Sequence, residues 1–389
     1  MDRCALQHIL LDLVGTAGLR PLDQPGQAAW AQIDAMAVQH RLQPLLHAQC
    51  GDLPDLPPDI RANWRSAYRV AAITALAQRA ELVETVGLLK AHGIETIALK
   101  GAWLARHAYP DPALRPCRDL DLLVEAGMAS AAFETLTGAG YALAEPPELS
   151  LEDTLRVDKH LPPLASPRGT CIELHHRLWE PDGRLDHASP LADLAGLRAR
   201  AWRDEDGIAY PAGADMLGHL IVHAVYSHRF DCGPLLLADV DFLLRREAID
   251  WPAFWARATA EGWRSGARLV LELVARYRPE APIELDAGPA APARLLDNAP
   301  GLLLQDLDTR KSAAVLAATL KAGPVGLTRR AKGERAATDI RPVRRDMAGE
   351  GGYLGWVWSR LVRTVGDLVH ADVRRQSRDL AQLSRWLDS

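Results

Sequence analysis

The sequence predicts an α+β protein: a sheet-bearing segment in the middle of the chain, flanked by an N-terminal helical region and a C-terminal helical domain. Three observations carry this. Apolar residues recur at three- and four-residue intervals through about the first ninety positions; near residue 93 the pattern switches to short aliphatic runs closed by Gly and Pro; and from residue 191 the helical period returns. A chain of 389 residues can bury more than one core. The expected division is a helical region over 1–75, a sheet domain over 76–188, a helical domain over 189–320, and a basic loop with a last helix over 321–389.

In order, the spacing predicts helices over 4–14, 28–46 and 61–92, with GDLPDLPP at 51–58 as a linker, because its three prolines and glycine-acid pair interrupt any helix. Residues 94–99 read as a strand that runs into Lys100-Gly101 and a helix over 102–109. Prolines at 110, 112 and 116 end that helix. Alternating acids and aliphatics at 119–124 predict a second strand, followed by an amphipathic helix over 128–139. Two arms, 160–165 and 170–178, are joined by Pro167-Arg168-Gly169 as a hairpin, and Pro162 and Pro163 place the first arm at a sheet edge. Later helices are expected at 215–230, 235–246, 251–262, 266–277, 312–320 and 354–387. The stretch 321–345, rich in Arg, Lys and Gly, reads as a mobile loop.

Composition excludes more than it names. A content of 48% hydrophobic and 24% charged residues with a net charge of −5 describes a soluble globular protein, with no global attraction to nucleic acid. The five cysteines are scattered and form no zinc-type spacing, which fits a reducing cytoplasm. The acidic second residue and interrupted apolar start are unlike a secretion signal, and no run reaches the roughly 18 to 20 apolar residues of a membrane span.

Chemistry concentrates in IALKGAWLARHAYPDPALRPCRDLDLLVE, residues 97–125. Alternate residues of a strand share a face, so Asp119 and Asp121 project together while Leu120, Leu122 and Val124 enter the core. Two adjacent carboxylates repel unless a cation neutralises them, and a hard divalent ion with oxygen ligands does so. On that reasoning, deleting the charge of Asp121 should slightly stabilise the metal-free protein. Glu173, in CIELHHRLW, sits in a neighbouring strand as a third carboxylate, with His175 on its own face. Upstream, the Lys100-Gly101 turn leaves backbone N–H groups at a helix start, where phosphate is favoured.

These segments, with HLIVHAVYSHRF and LLLADVDFLLRR leading into DWPAFWARA, resemble the uncharacterised nucleotidyltransferases of the DNA polymerase-β nucleotidyltransferase superfamily; the resemblance spans roughly residues 76–277. It implies a polymerase-β-type sheet domain, Mg²⁺ or Mn²⁺ on Asp119, Asp121 and Glu173, an NTP donor contacted around Lys100 and Gly101, and an acceptor of unnamed chemistry. Superfamily members carry Gly-Ser or Gly-Gly at the turn, whereas here Gly101 is followed by Ala102. Transfer of a phosphoryl or sugar group, or binding of nucleotide or peptide without turnover, are the alternatives.

Other residues have plainer readings beside their functional ones. Arg115 and Arg118 flank the acid strand, where they can clamp phosphate or form surface ion pairs, and Arg118 is taken as a nucleotide contact. His219 and His223 are four apart on a helix without the glutamate of a metalloprotease motif, so a packed pair is expected. Asp239 is a candidate to hold a basic residue near the site. Trp251, Trp255 and Trp263 read as packing.

Overall fold

The computed structural model describes residues 2–15, 25–147, 149–179, 193–307 and 371–388, together with 310, 313, 314 and 317. The chain is α+β, with a seven-stranded mixed sheet set among helices. Helices α1 (Arg3–Val14), α2 (Gln27–Gln39) and α3 (Gln43–Cys50) come first, then the long α4 (Pro58–Ala91). Asp2 caps α1 by accepting from the Ala5 N–H at 2.8 Å. Where one helix was expected over 28–46 there are two. His40 ends α2, Arg41 takes a left-handed conformation (φ 56°), and the Leu42 N–H reaches back to the Ala37 carbonyl, closing the end as a glycine would. Pro44 then opens α3. The linker at 51–58 falls between α3 and α4 as expected.

The sheet is built from β1 (Thr96–Ala98), β2 (Asp119–Val124), β3 (Ala142–Leu143), β4 (Leu164–Ala165), β5 (Cys171–His175), β6 (Trp202–Arg203) and β7 (Ala209–Tyr210), in the order β3-β4-β5-β2-β1-β7-β6. Strand β2 runs antiparallel to β1 and parallel to β5, with Asp121 opposite Glu173 and Asp119 opposite Cys171. After α5 (Gly101–Trp103) comes α6 (Ala129–Gly138), and α4 and α6 pack against the sheet through β1 and β5; α7 (Leu151–Val157) precedes β4. Leu120, Leu122, Val124, Ile172 and Leu174 are all buried. The opposite parity of β2 and β5 carries the acids.

Two expectations about the sheet are corrected. The hairpin arm holding Leu164 is not an edge: β3 pairs outside it, and Pro163 serves that contact through its carbonyl, which accepts from the Ala144 N–H at 2.9 Å. Proline lacks a donor, not an acceptor. The region after residue 191 is not all helix either. Following α8 (Leu194–Arg200), β6 and β7 form a tight hairpin turned at Gly207 (φ 76°), and Ala209 of β7 pairs with Ile97 of β1, so the sheet continues past residue 188.

Helices α9 (Gly213–Val222), α10 (Leu235–Arg246), α11 (Trp251–Ala260), α12 (Arg264–Tyr277), α13 (Ala293–Leu303) and α14 (Ala371–Leu387) complete the described chain. Trp251, Trp255 and Trp263 are buried around Phe254 with edge-to-face contacts, as the packing reading requires. Apart from 313, 314 and 317, the helix expected at 312–320, the basic stretch 321–345 and residues 354–370 of the last helix lie outside the described residues. No described helix is long and apolar enough to cross a membrane.

Candidate active site

A cleft of about 490 Å³ opens on the acid-bearing face of the sheet. Asp119, Asp121 and Glu173 line it together with Lys100 and Gly101, while His223 and Ser227, beyond α9, supply the opposite wall. Strand alternation puts Asp119 and Asp121 on that face, and the parallel β2–β5 register sets Glu173 beside Asp121. One oxygen of Asp121, one of Glu173 and one ring nitrogen of His175 lie within 4.8 Å of one another, a spacing that could hold a metal ion. Asp119 is not part of that trio.

Asp121 is the most constrained of the acids. Its Oδ1 accepts from Lys100 Nζ at 2.9 Å and from His175 Nε2 at 2.8 Å, and its carboxyl is nearly inaccessible. Burial pushes its pKa up, but Lys100 and His175 outweigh burial and hold it well below the usual carboxylate range. His175 is fully buried beneath the acids, with Nε2 also 3.5 Å from Glu173 Oε2. Burial opposes its charge, yet bonds to Asp121 and Glu173 raise its pKa, and the same bond to His175 overcomes burial to lower that of Glu173.

Asp119 contrasts with its neighbour. Among the described residues its carboxyl has no hydrogen-bond or ion-pair partner, and burial, reinforced by the charges of Asp121 and Glu173, pushes its pKa up to about 6. Among the described residues three acids thus crowd one face, with the hydrogen bonds and ion pairs concentrated on Asp121 and Glu173 and none on Asp119.

The turn before the short helix Gly101–Trp103 has a specific geometry. Lys100 holds φ 42° and ψ −115°, a conformation rare for any residue but glycine, and a Cβ on Gly101 would stand 2.7 Å from both Arg115 Nη1 and Cys117 Sγ. The helix expected over 102–109 is therefore only one α-turn, continued by a π-helical turn at Leu104–Ala108. Ala102 is buried and offers no hydroxyl to a phosphate.

Arg115 faces inward. Its Nε and Nη2 donate to Asp239 at 3.1 and 2.9 Å, and the Tyr109 hydroxyl donates to the same carboxylate at 2.8 Å, so Asp239 does hold a basic residue beside the site. Arg118 is exposed at the cleft mouth. His219 and His223 pack 5.9 Å apart, and burial pushes both well below the usual imidazole pKa.

Sequence reading missed the cleft cations from other segments. Arg41, presented by the left-handed turn between α2 and α3, lines the cleft, and so does Lys159, buried just before β4. Among the described residues Arg41 and Arg118 have no carboxylate partner. No local motif marks Arg41, because its backbone conformation normally announces itself as glycine.

The model of a family described as uncharacterised nucleotidyltransferase matches residues 26–279. The chain belongs to this family. The match takes in the α2–α3 turn as well as the sheet, so the segment carrying Arg41 is part of the family unit. In the same comparisons no curated protein and no solved structure matched.

Proposed function

We propose that the protein transfers a nucleoside monophosphate from an NTP to a hydroxyl or phosphate on a small molecule, peptide or protein, with Mg²⁺ or Mn²⁺ held by Asp119, Asp121 and Glu173. Membership of a nucleotidyltransferase family gives the reaction class. The observation that carries the assignment to these residues is the lone carboxylate of Asp119, facing a cleft it shares with Asp121, Glu173 and the Lys100-Gly101 turn.

The residues fit a divalent ion: oxygen donors cluster, one has no hydrogen-bond or ion-pair partner among the described residues, and the spacing of Asp121 and Glu173 permits joint ligation. When bound, such an ion stabilises negative charge on the oxygens around the α-phosphorus. The chain does the rest. Arg118 and the Lys100-Gly101 turn contact the polyphosphate, and Glu173 takes the proton of the acceptor as its oxygen bonds to the α-phosphorus. The bond to the bridging oxygen breaks, and pyrophosphate leaves with that electron pair.

In this reading residues 76–188, with the later β6–β7 hairpin that extends their sheet, form the catalytic domain, residues before 76 contribute one wall through His40 and Arg41, and described residues after 213 supply the facing wall. The five cysteines are free thiols, which supports a cytoplasmic setting. The near-neutral composition favours a small-molecule, peptide or protein acceptor over nucleic acid.

The test is label transfer. With Mg²⁺ or Mn²⁺ and cell extract as acceptor source, label from α-³²P NTP should become attached and label from γ-³²P NTP should not. Attachment of the γ-label instead would make this a phosphoryl transferase, the alternative that the missing hydroxyl at Ala102 favours.

A further inference from the structure

We infer that Lys100 takes the place of one of the two divalent ions such sites use, so that this centre works with a single metal ion and a resident ammonium group. The inference rests on the nucleotidyl-transfer reading and concerns how its charge is supplied.

Two-ion centres set their ions about 3.5–4 Å apart and need a carboxylate that can offer both oxygens, one to each ion. Asp121 cannot do that here. Its Oδ1 already accepts from two donors, Lys100 Nζ at 2.9 Å and His175 Nε2 at 2.8 Å, and this leaves Oδ2 for a metal. The two donors differ in place. Lys100 lines the cleft beside Asp119, Asp121 and Glu173, whereas His175 lies behind the carboxylates and does not reach the cleft wall. The ammonium therefore occupies substrate-facing space next to Asp121.

The backbone argues independently. Lys100 is one of four non-glycine residues with positive φ among those described, and its ψ of −115° puts it outside the left-handed helical basin where such residues are tolerated. A conformation of this kind is strained and persists only where the surroundings enforce it. Glycine would remove the cost, yet the glycine stands one position later, where Arg115 and Cys117 leave no room for a Cβ. A lysine kept in that conformation sends its side chain back across the turn to β2 rather than outward. An ammonium is a compact charge with donors that can face several oxygens at once.

The experiment uses the full chain with Mn²⁺ and a non-hydrolysable α,β-methylene NTP, read by electron paramagnetic resonance. The parent should bind one Mn²⁺ per chain with an uncoupled spectrum. Lys100→Met should bind two, with the exchange coupling of a close pair, because Asp121 Oδ1 is then open to a second ion. Lys100→Gln gives the same comparison should the methionine variant misfold. A coupled Mn²⁺ pair in the parent would overturn the inference while leaving the metal-site reading intact. One uncoupled ion in both variants would show that Lys100 excludes nothing, and would overturn it too. Absence of any bound Mn²⁺ in the parent would remove the site reading itself.

Discussion

Asp119 and Asp121 are two residues apart on one face of one strand, yet removing their charges should change stability in opposite directions. Repulsion between paired acids suggests from sequence that Asp121→Asn relieves strain; the structure moves that relief to Asp119. The Asp119 pKa rises from 3.8 to about 6 on folding. A raised carboxylate binds more protons folded than unfolded, so stability falls as pH rises from about 4 through about 6. At 1.36 kcal/mol per unit, the metal-free protein gives up about 3 kcal/mol by neutral pH, and Asp119→Asn avoids that loss. Asp121 has the reverse sign. Its pKa is depressed, so its contribution is complete above about pH 4 and fades as pH falls through the folded value. Asp121→Asn leaves Lys100 and buried His175 facing a neutral amide, a cost of about 3 kcal/mol. The assay is urea denaturation in EDTA at pH 4 and pH 8. At pH 8 Asp119→Asn should be the more stable and Asp121→Asn the less stable than the parent; at pH 4 the Asp119→Asn gain should be largely gone while the Asp121→Asn loss persists, because the folded pKa of Asp121 lies well below 4. Saturating Mg²⁺ should remove the gain of Asp119→Asn by stabilising the parent. Shifts of the same sign in both variants at pH 8 would refute the electrostatic account of the site.

Three further outcomes follow from the geometry. Gly101→Ala forces a methyl against Arg115 and Cys117, which are held by Asp239 and the turn, so thermal unfolding should show a loss of about 1–3 kcal/mol, and transfer should fall with it. Arg118→Ala should raise the KM for NTP about tenfold in steady-state kinetics with kcat nearly unchanged, as expected for an exposed phosphate contact. Asp239→Ala leaves Arg115 and the Tyr109 hydroxyl without their shared partner in a buried setting, at a cost of about 3 kcal/mol in chemical denaturation, whereas Tyr109→Phe should cost only about 1 kcal/mol.

The acids were legible because a strand has a period of two: D-L-D fixes which side chains share a face before any coordinates exist, and a neighbouring strand of matching parity brings Glu173 to the same side. The packed tryptophans were readable from spacing, and Asp239 was read as holding a basic residue, but that this residue is Arg115, read as a phosphate clamp or a surface ion pair, was not. What stayed hidden depends on backbone states that sequence patterns assign to glycine. Arg41 closes α2 from a left-handed conformation and so went unmarked, and Lys100, read as a phosphate contact, holds positive φ beside a glycine that does not, which hid its reach to Asp121. Strands β6 and β7 are two residues each, too short for alternation to register, and their place is set by the pairing of Ala209 with Ile97.

The hidden residues share a consequence for the chemistry. Sequence reading places Lys100 at the phosphates and leaves the acid pair to attract metal alone; the structure joins the two by sending the lysine from the turn to Asp121. The charge of the site is then divided before any ligand arrives: Asp121 is ion-paired from the cleft by Lys100 and hydrogen-bonded from beneath by His175, Glu173 is held low by His175, and the more distant Lys100 and Arg115 do not offset what burial and the other acids do to Asp119. A cation entering the cleft gains most from Asp119, the group with the greatest unmet charge, and meets Asp121 already oriented by two hydrogen bonds. In the proposed site, affinity for metal should therefore depend more steeply on Asp119, while the geometry of ligation should depend on Asp121 and on the Lys100 and His175 side chains that fix it.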